Sequence, residues 1–252
     1  MLVSANASYE RAAQDIQVLT GRRVSHSTQQ RLVHRQELPL QAAADRVEEL
    51  SVDGGKVRIR TPSGLPCDWR DYKAVKLHEH SIGASYQNNE LLIEWSNAQP
   101  LAETLVCLGD GHDGIWNIVV EIGKKEQRLE ILDWYHLMEN LAKVESSVDL
   151  LDDVRELLWE GRVRTAITRL HNCGDYRADT FSAYLQKHQH RIVNYEYYQL
   201  EGLSIGSGAI ESGIKQIAAR VKLTGAQWKA DNVPQVLRHR CAYLNGQFSS
   251  TI

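Results

Sequence analysis

No run of about 18 uncharged apolar residues occurs in the 252-residue chain, so no membrane-spanning helix is expected. The opening residues, MLVSANASYERAAQ, lack the basic start and apolar stretch of a secretory signal. The four cysteines, Cys67, Cys107, Cys173 and Cys241, are scattered, with no C-x-x-C pair. That pattern predicts free thiols in a cytoplasmic protein and excludes a zinc site built from cysteine alone. No internal repeat or low-complexity tract is present. There is no excess of positive charge either: the net charge is −3, which by itself argues against a nucleic-acid partner.

The distribution of charge reverses that argument. Residues 1–35 carry five Lys/Arg against two Asp/Glu, residues 54–80 six against three, and residues 201–252 six against three. Residues 36–53 hold one against five, and residues 81–200 eleven against nineteen. Three basic segments thus alternate with acidic ones. Brought together in space, they form a phosphate-facing surface; the alternative is ordinary variation of a solvated surface. With 42% hydrophobic residues, the chain can bury one sizeable core, or one domain with a helical appendage.

Periodicity gives the organisation. Ser8 is placed to cap a helix running to about Thr20, with Gly21 as its stop, and Ser25 or Ser27 opens a second short helix with Leu32 and Val33 facing inward. Residues 1–36 therefore form a segment like a helix-turn-helix, with Arg22, Arg23 and Arg31 as candidate DNA contacts. From residue 47 the period becomes two. Leu50–Asp53 reads as a strand, Gly54-Gly55 as a hairpin signal, Lys56–Arg60 as a second strand and Trp69–Leu77 as a third. Thr104–Leu108 is a near-continuous apolar run, as expected of a strand buried on both faces, and ends at Gly109-Asp110-Gly111-His112-Asp113. A helix, a fifth strand at Leu129–Asp133 and a helix from Trp134 follow.

This order predicts an α/β domain: a ribonuclease-H-like mixed five-stranded sheet with flanking helices. Its first part covers 46–144, a helical insertion 145–200 and its last part 201–248. In that last part a glycine-rich loop leads into a helix near Ala209. There Ile210, Ile214, Ile217 and Val221 share one face, and Glu211, Lys215, Ala218 and Lys222 the other.

In this arrangement Asp53 and Asp110 end neighbouring strands. Two such carboxylates repel unless cations lie between them. Glu211 on a packed helix completes an oxygen-rich site suited to two Mg²⁺ or Mn²⁺ ions, the arrangement that promotes phosphodiester displacement. Each acid taken singly has a plain reading: a turn former beside Gly-Gly, or a solvated helix glutamate. His112 reads as a cap of the following helix or a residue behind the metal ligands, Asp133 as a supporting residue or N-cap, and His136 mainly as structural. Lys215 and Lys222 are placed to follow a DNA backbone.

SVDGGKVRIR, CLGDGHDGIWN, LEILDWYHLMENL, GSGAIESGIKQIAARVKLTGAQW and NVPQVLRHRCAYLNG resemble the ISKra group of insertion-sequence transposases, related to the Mutator-like DDE enzymes. The resemblance runs from Ser8 through nearly the whole chain. It implies a DDE transposase with Asp53, Asp110 and Glu211 as catalytic metal ligands. It also implies an active-site contribution from the Asp133-x-x-His136 element and a recurrent Trp228 able to stack on a base. Further implications are element-end and target DNA as partners, a homo-oligomer on DNA, a cytoplasmic, nucleoid-associated location and an additional N-terminal region in relatives, which suggests a truncated copy or the product of a split reading frame here. Two rival expectations share these residues: another ribonuclease-H-like nuclease such as a junction resolvase, and an inert DNA-binding remnant.

Overall fold

The computed structural model describes residues 1–171 and 175–248; Cys173 lies outside the described residues. The chain divides into two compact units. One comprises Met1–Val47, Asp53–Leu101 and the chain from Ala209 onward; the other comprises Glu48–Val52 and Ala102–Gly208. The architecture is α/β, with a five-stranded sheet in the order β3-β2-β1-β4-β5 and flanking helices, compatible with a ribonuclease-H-like fold. No helix among the described residues is long and apolar enough to cross a membrane.

The first unit begins with a helical hairpin, α1 (Tyr9–Thr20) and α2 (His26–Arg35). The Ser8 hydroxyl accepts the Arg11 N–H at 3.1 Å, and Gly21 ends α1 in the left-handed region at φ 69°. Ser25 caps α2 through the Thr28 N–H at 3.2 Å. Val33 is fully buried, but Leu32 is 51% exposed, against the expectation that both face inward. Adjacent helix positions sit about 100° apart, and the buried stripe of α2 admits only one of this pair.

β1 (Val47–Ile59) runs through Gly54-Gly55 without turning. The expected hairpin at this dipeptide, with a separate strand at Lys56–Arg60, is therefore incorrect. The glycines serve close approach instead: a Cβ on Gly55 would run into the Tyr72 ring, and one on Gly54 would meet the Tyr72 carbonyl oxygen at 3.2 Å. β2 (Asp68–Leu77) pairs antiparallel with β3 (Ile82–Tyr86) in the register Ala74↔Ala84. Neither β3 nor the helix after it, α3 (Asn89–Asn97), was expected. Later in the chain come α10 (Gly208–Val221) and α11 (Val233–Leu244). Ile210, Ile217 and Val221 of α10 join Tyr72, Ala84 and Leu237 in one buried cluster.

In the second unit β4 (Leu101–Gly109) and β5 (Arg128–Leu132) are parallel, in the register Leu105↔Arg128 to Gly109↔Leu132. Leu105, Cys107 and Leu108 are fully buried, as the unbroken apolar run requires. α4 (Asp113–Val119) lies between these strands in sequence, and α5 (Trp134–Leu141) follows β5. The regular elements among the described residues of the insertion are helices: α6 (Val148–Trp159), α7 (Val163–His171), α8 (Tyr176–His188) and α9 (Tyr195–Leu200). It is fastened to β5 by the Tyr195 hydroxyl, which donates to the Leu132 carbonyl at 2.8 Å, and by the Leu132 N–H, which donates to the Arg191 carbonyl at 2.9 Å.

Candidate functional site

In the second unit the parallel pair delivers two aspartates side by side. Gly109 and Leu132 are register partners, and the next residue of each strand is an aspartate, Asp110 and Asp133. The Asp133 N–H donates to the Gly109 carbonyl at 2.9 Å, which fixes this juxtaposition through the backbone. Asp110 is half-buried. Its Oδ1 accepts the His112 N–H at 2.8 Å, and its carbonyl accepts the Trp116 indole N–H at 2.6 Å.

Asp133 is fully buried, yet among the described residues every hydrogen bond it accepts comes from a neutral donor. Oδ1 accepts the His136 N–H at 2.8 Å and so caps α5. Oδ2 accepts the Ser207 hydroxyl at 2.5 Å and also the Ser207 N–H. These bonds offset the desolvation of the carboxylate without cancelling its charge. They also anchor the glycine-rich loop before α10, where the Trp134 N–H donates to the Ile205 carbonyl at 2.9 Å. A Cβ on Gly206 would meet the Tyr135 ring at 2.6 Å, so the glycine is needed for contact rather than for freedom of the loop.

His136 lies in the first turn of α5, with Nδ1 3.1 Å from Glu139 Oε2. Burial pulls its pKa down, but Asp133, the Glu139 hydrogen bond and Asp110 outweigh burial and raise it. Tyr184 of α8 reaches the same strand edge: its ring packs on Gly111 so closely that a Cβ there would clash with the ring. Burial first, and then Asp110, push its phenol pKa up, so the hydroxyl remains protonated. His112 caps α4, its Nδ1 accepting the Gly114 N–H at 3.0 Å. The neighbouring Asp113 pairs with Lys187 of α8 at 2.5 Å, a hydrogen bond that holds the Asp113 pKa below the usual carboxylate range.

The first unit carries the other predicted residues. Asp53 lies within β1, half-buried, with Oδ1 accepting the Gly54 N–H at 2.6 Å. Glu211 is in the first turn of α10, where the helix dipole favours an acid, and its Oε2 is 3.6 Å from Lys215 Nζ. Lys215 and Lys222 are exposed, and Lys222 Nζ stands 5.9 Å from the ring centre of the exposed Trp69. Arg22, Arg23 and Arg31 are exposed on the α1–α2 hairpin. Trp228 is half-buried against the unit's core. Its indole N–H donates to the Val221 carbonyl at 2.9 Å, and the Arg220 guanidinium lies 4.9 Å from its ring centre. A ring held this way has a packing function of its own.

Sequence reading missed Ser207 and Tyr184. Ser207 had a signal, a hydroxyl between glycines before a helix, whereas a tyrosine within a helical insertion had none. No protein-family model matches the chain, and no curated protein matches it.

Proposed function

We propose that the chain is a DDE transposase of the ISKra group, with a ribonuclease-H-like catalytic domain that cuts and joins DNA at insertion-sequence ends. The observation that carries this reading is the edge of the β4–β5 pair: two adjacent aspartates, one with only neutral donors, and a histidine one turn away. Carboxylate oxygens are the donor type that fits Mg²⁺ or Mn²⁺.

In this reading Asp53, Asp110 and Glu211 are the ligands of two ions. Asp133 already accepts three hydrogen bonds, so its part is to orient the His136 backbone and the Ser207 loop while adding negative charge. The bound ions would supply an activated attacking oxygen and stabilisation of the leaving one. Lys215, Lys222 and the hairpin arginines Arg22, Arg23 and Arg31 contact phosphates and position the duplex. The partners are element-end and target DNA, held by a homo-oligomer at the cytoplasmic nucleoid.

The test is a labelled element-end duplex incubated with the full chain and Mg²⁺. The reading predicts nicked product followed by joined product, both lost in Asp110→Asn while DNA binding is retained. Nicking without joining would favour a resolvase-like nuclease. Binding without any nicking in Mg²⁺ or Mn²⁺ would favour a DNA-binding remnant.

A further inference from the structure

A groove of about 540 Å³ opens beside α8, walled by Tyr176, Arg177, Phe181 and Tyr184 of that helix and by Asn140, Lys143 and Val144 at and after the end of α5. Its volume lies within the range of about 300–1,000 Å³ common for small-ligand pockets. Phe181 and Val144 form a buried apolar floor. Phe181 and Tyr184 are stacked at 6.1 Å with 16° between their planes, and Tyr176 at the rim is 81% exposed. The groove is not isolated from the acids, because Tyr184 also packs on Gly111, the residue after Asp110.

Its lining residues differ in charge type from the segment around them, although Arg177 is ion-paired with Glu145. Residues 81–200 carry eleven cations against nineteen acids, yet the lining residues include two cations and no acid. Lys143 Nζ is held by the Asn140 side-chain oxygen at 2.8 Å, and Arg177 is oriented by Glu145 just outside the lining. A flat aromatic wall, an amide on one side and cations at the rim match the three parts of a nucleotide: ring, hydrogen-bonding edge and phosphate.

We propose that this groove receives one unpaired base of the DNA strand whose phosphate lies at Asp110. The proposal rests on the transposase reading for the identity of that strand. The base stacks on the aromatic wall near Tyr184, its edge meets Asn140, and Lys143 and Arg177 face the adjoining phosphate. Tyr184, in contact with both the groove and Gly111, sets the distance between the extruded base and the phosphate at Asp110.

The test is fluorescence anisotropy of the full chain with two duplexes of the same sequence, one blunt and one with a short single-stranded overhang containing 2-aminopurine. EDTA is present so that cleavage plays no part. The overhang duplex should bind on the order of tenfold more tightly than the blunt one, with quenching of the 2-aminopurine as it stacks. Tyr184→Leu should remove that preference and Tyr176→Ala should reduce it, with blunt-duplex affinity unchanged in both. Tyr176 is exposed enough that its variant will fold even if the Tyr184 variant does not. Equal affinity of the native protein for the two duplexes, or an undiminished preference in the folded variants, would overturn the groove assignment. Mg²⁺-dependent nicking without overhang preference would sink the groove and spare the transposase reading. Overhang preference without nicking would do the reverse.

Discussion

Glu130 and Asp133 stand three residues apart at the end of one short parallel strand, and their charges are handled in opposite ways. Glu130 is flanked by Arg191 at 2.8 Å and Arg128 at 3.1 Å, and the Arg191 guanidinium also lies 4.0 Å from the centre of the Trp116 ring. Burial pushes the Glu130 pKa up, but the two guanidiniums outweigh it and hold the carboxyl below its ordinary value. That is a closed ion-pair network, complete within the protein. Asp133 is more deeply buried and accepts hydrogen bonds from two backbone N–H groups and a serine hydroxyl, none of them charged. Glu130 joins the insertion to the sheet. Asp133 has no cation among its hydrogen-bond donors and stands beside Asp110, where the proposed function puts a divalent cation.

Substitutions can break this contrast. The largest effect is expected at Asp110. Asp110→Asn should lower Mg²⁺-dependent nicking by roughly a thousandfold or more, because a metal-held transition state draws several kcal/mol from such ligands, and thermal melting should change little. Next is Asp133→Leu, which strands three donors in a dry interior and should cost about 3–5 kcal/mol in denaturant unfolding. Glu130→Gln should cost about 3 kcal/mol by leaving guanidiniums poorly paired. Unlike the aspartate changes, it should leave Mg²⁺-induced stabilisation intact.

The pH dependence sharpens the same contrast. A folded-state pKa below the unfolded one means that the Glu130 pairing contributes fully above the unfolded value. The contribution is lost as pH falls through the lowered folded value. The melting temperatures of native protein and Glu130→Gln should therefore differ by a constant amount near neutrality and converge in acid. A gap that stayed constant to low pH would contradict the pairing. The smallest effects belong to the exposed lysines. Lys215→Ala or Lys222→Ala should each weaken DNA binding uniformly across sequences and lower the slope of log affinity against log salt by about 0.9.

The elements most legible in sequence were those whose signals are local. Ser8, Gly21 and Ser25 marked the ends of α1 and the start of α2, and the run Thr104–Leu108 marked a strand buried on both faces. The His112-Asp113 pair was readable as a helix start, because capping depends on residues within one turn. What failed depended on residues distant in the chain. Gly54-Gly55 looks like a turn until Tyr72 is placed against it. β3 is only five residues, with Gly83 lying beneath the Trp95 ring, and its alternation is too short to register. The hold of Ser207 on Asp133 spans 74 positions, and no periodicity announces it. The three acids were picked by their order along the elements, whereas the neutral hydrogen-bond shell around Asp133 joins residues far apart in the chain.

The most direct test is a calorimetric titration of the purified, DNA-free chain with Mn²⁺, alongside Glu130→Gln and Asp110→Asn. Saturable uptake in the native protein and in Glu130→Gln, with marked loss in Asp110→Asn, is the predicted result. Identical weak uptake in all three would show that the edge of the β4–β5 pair is not a cation site.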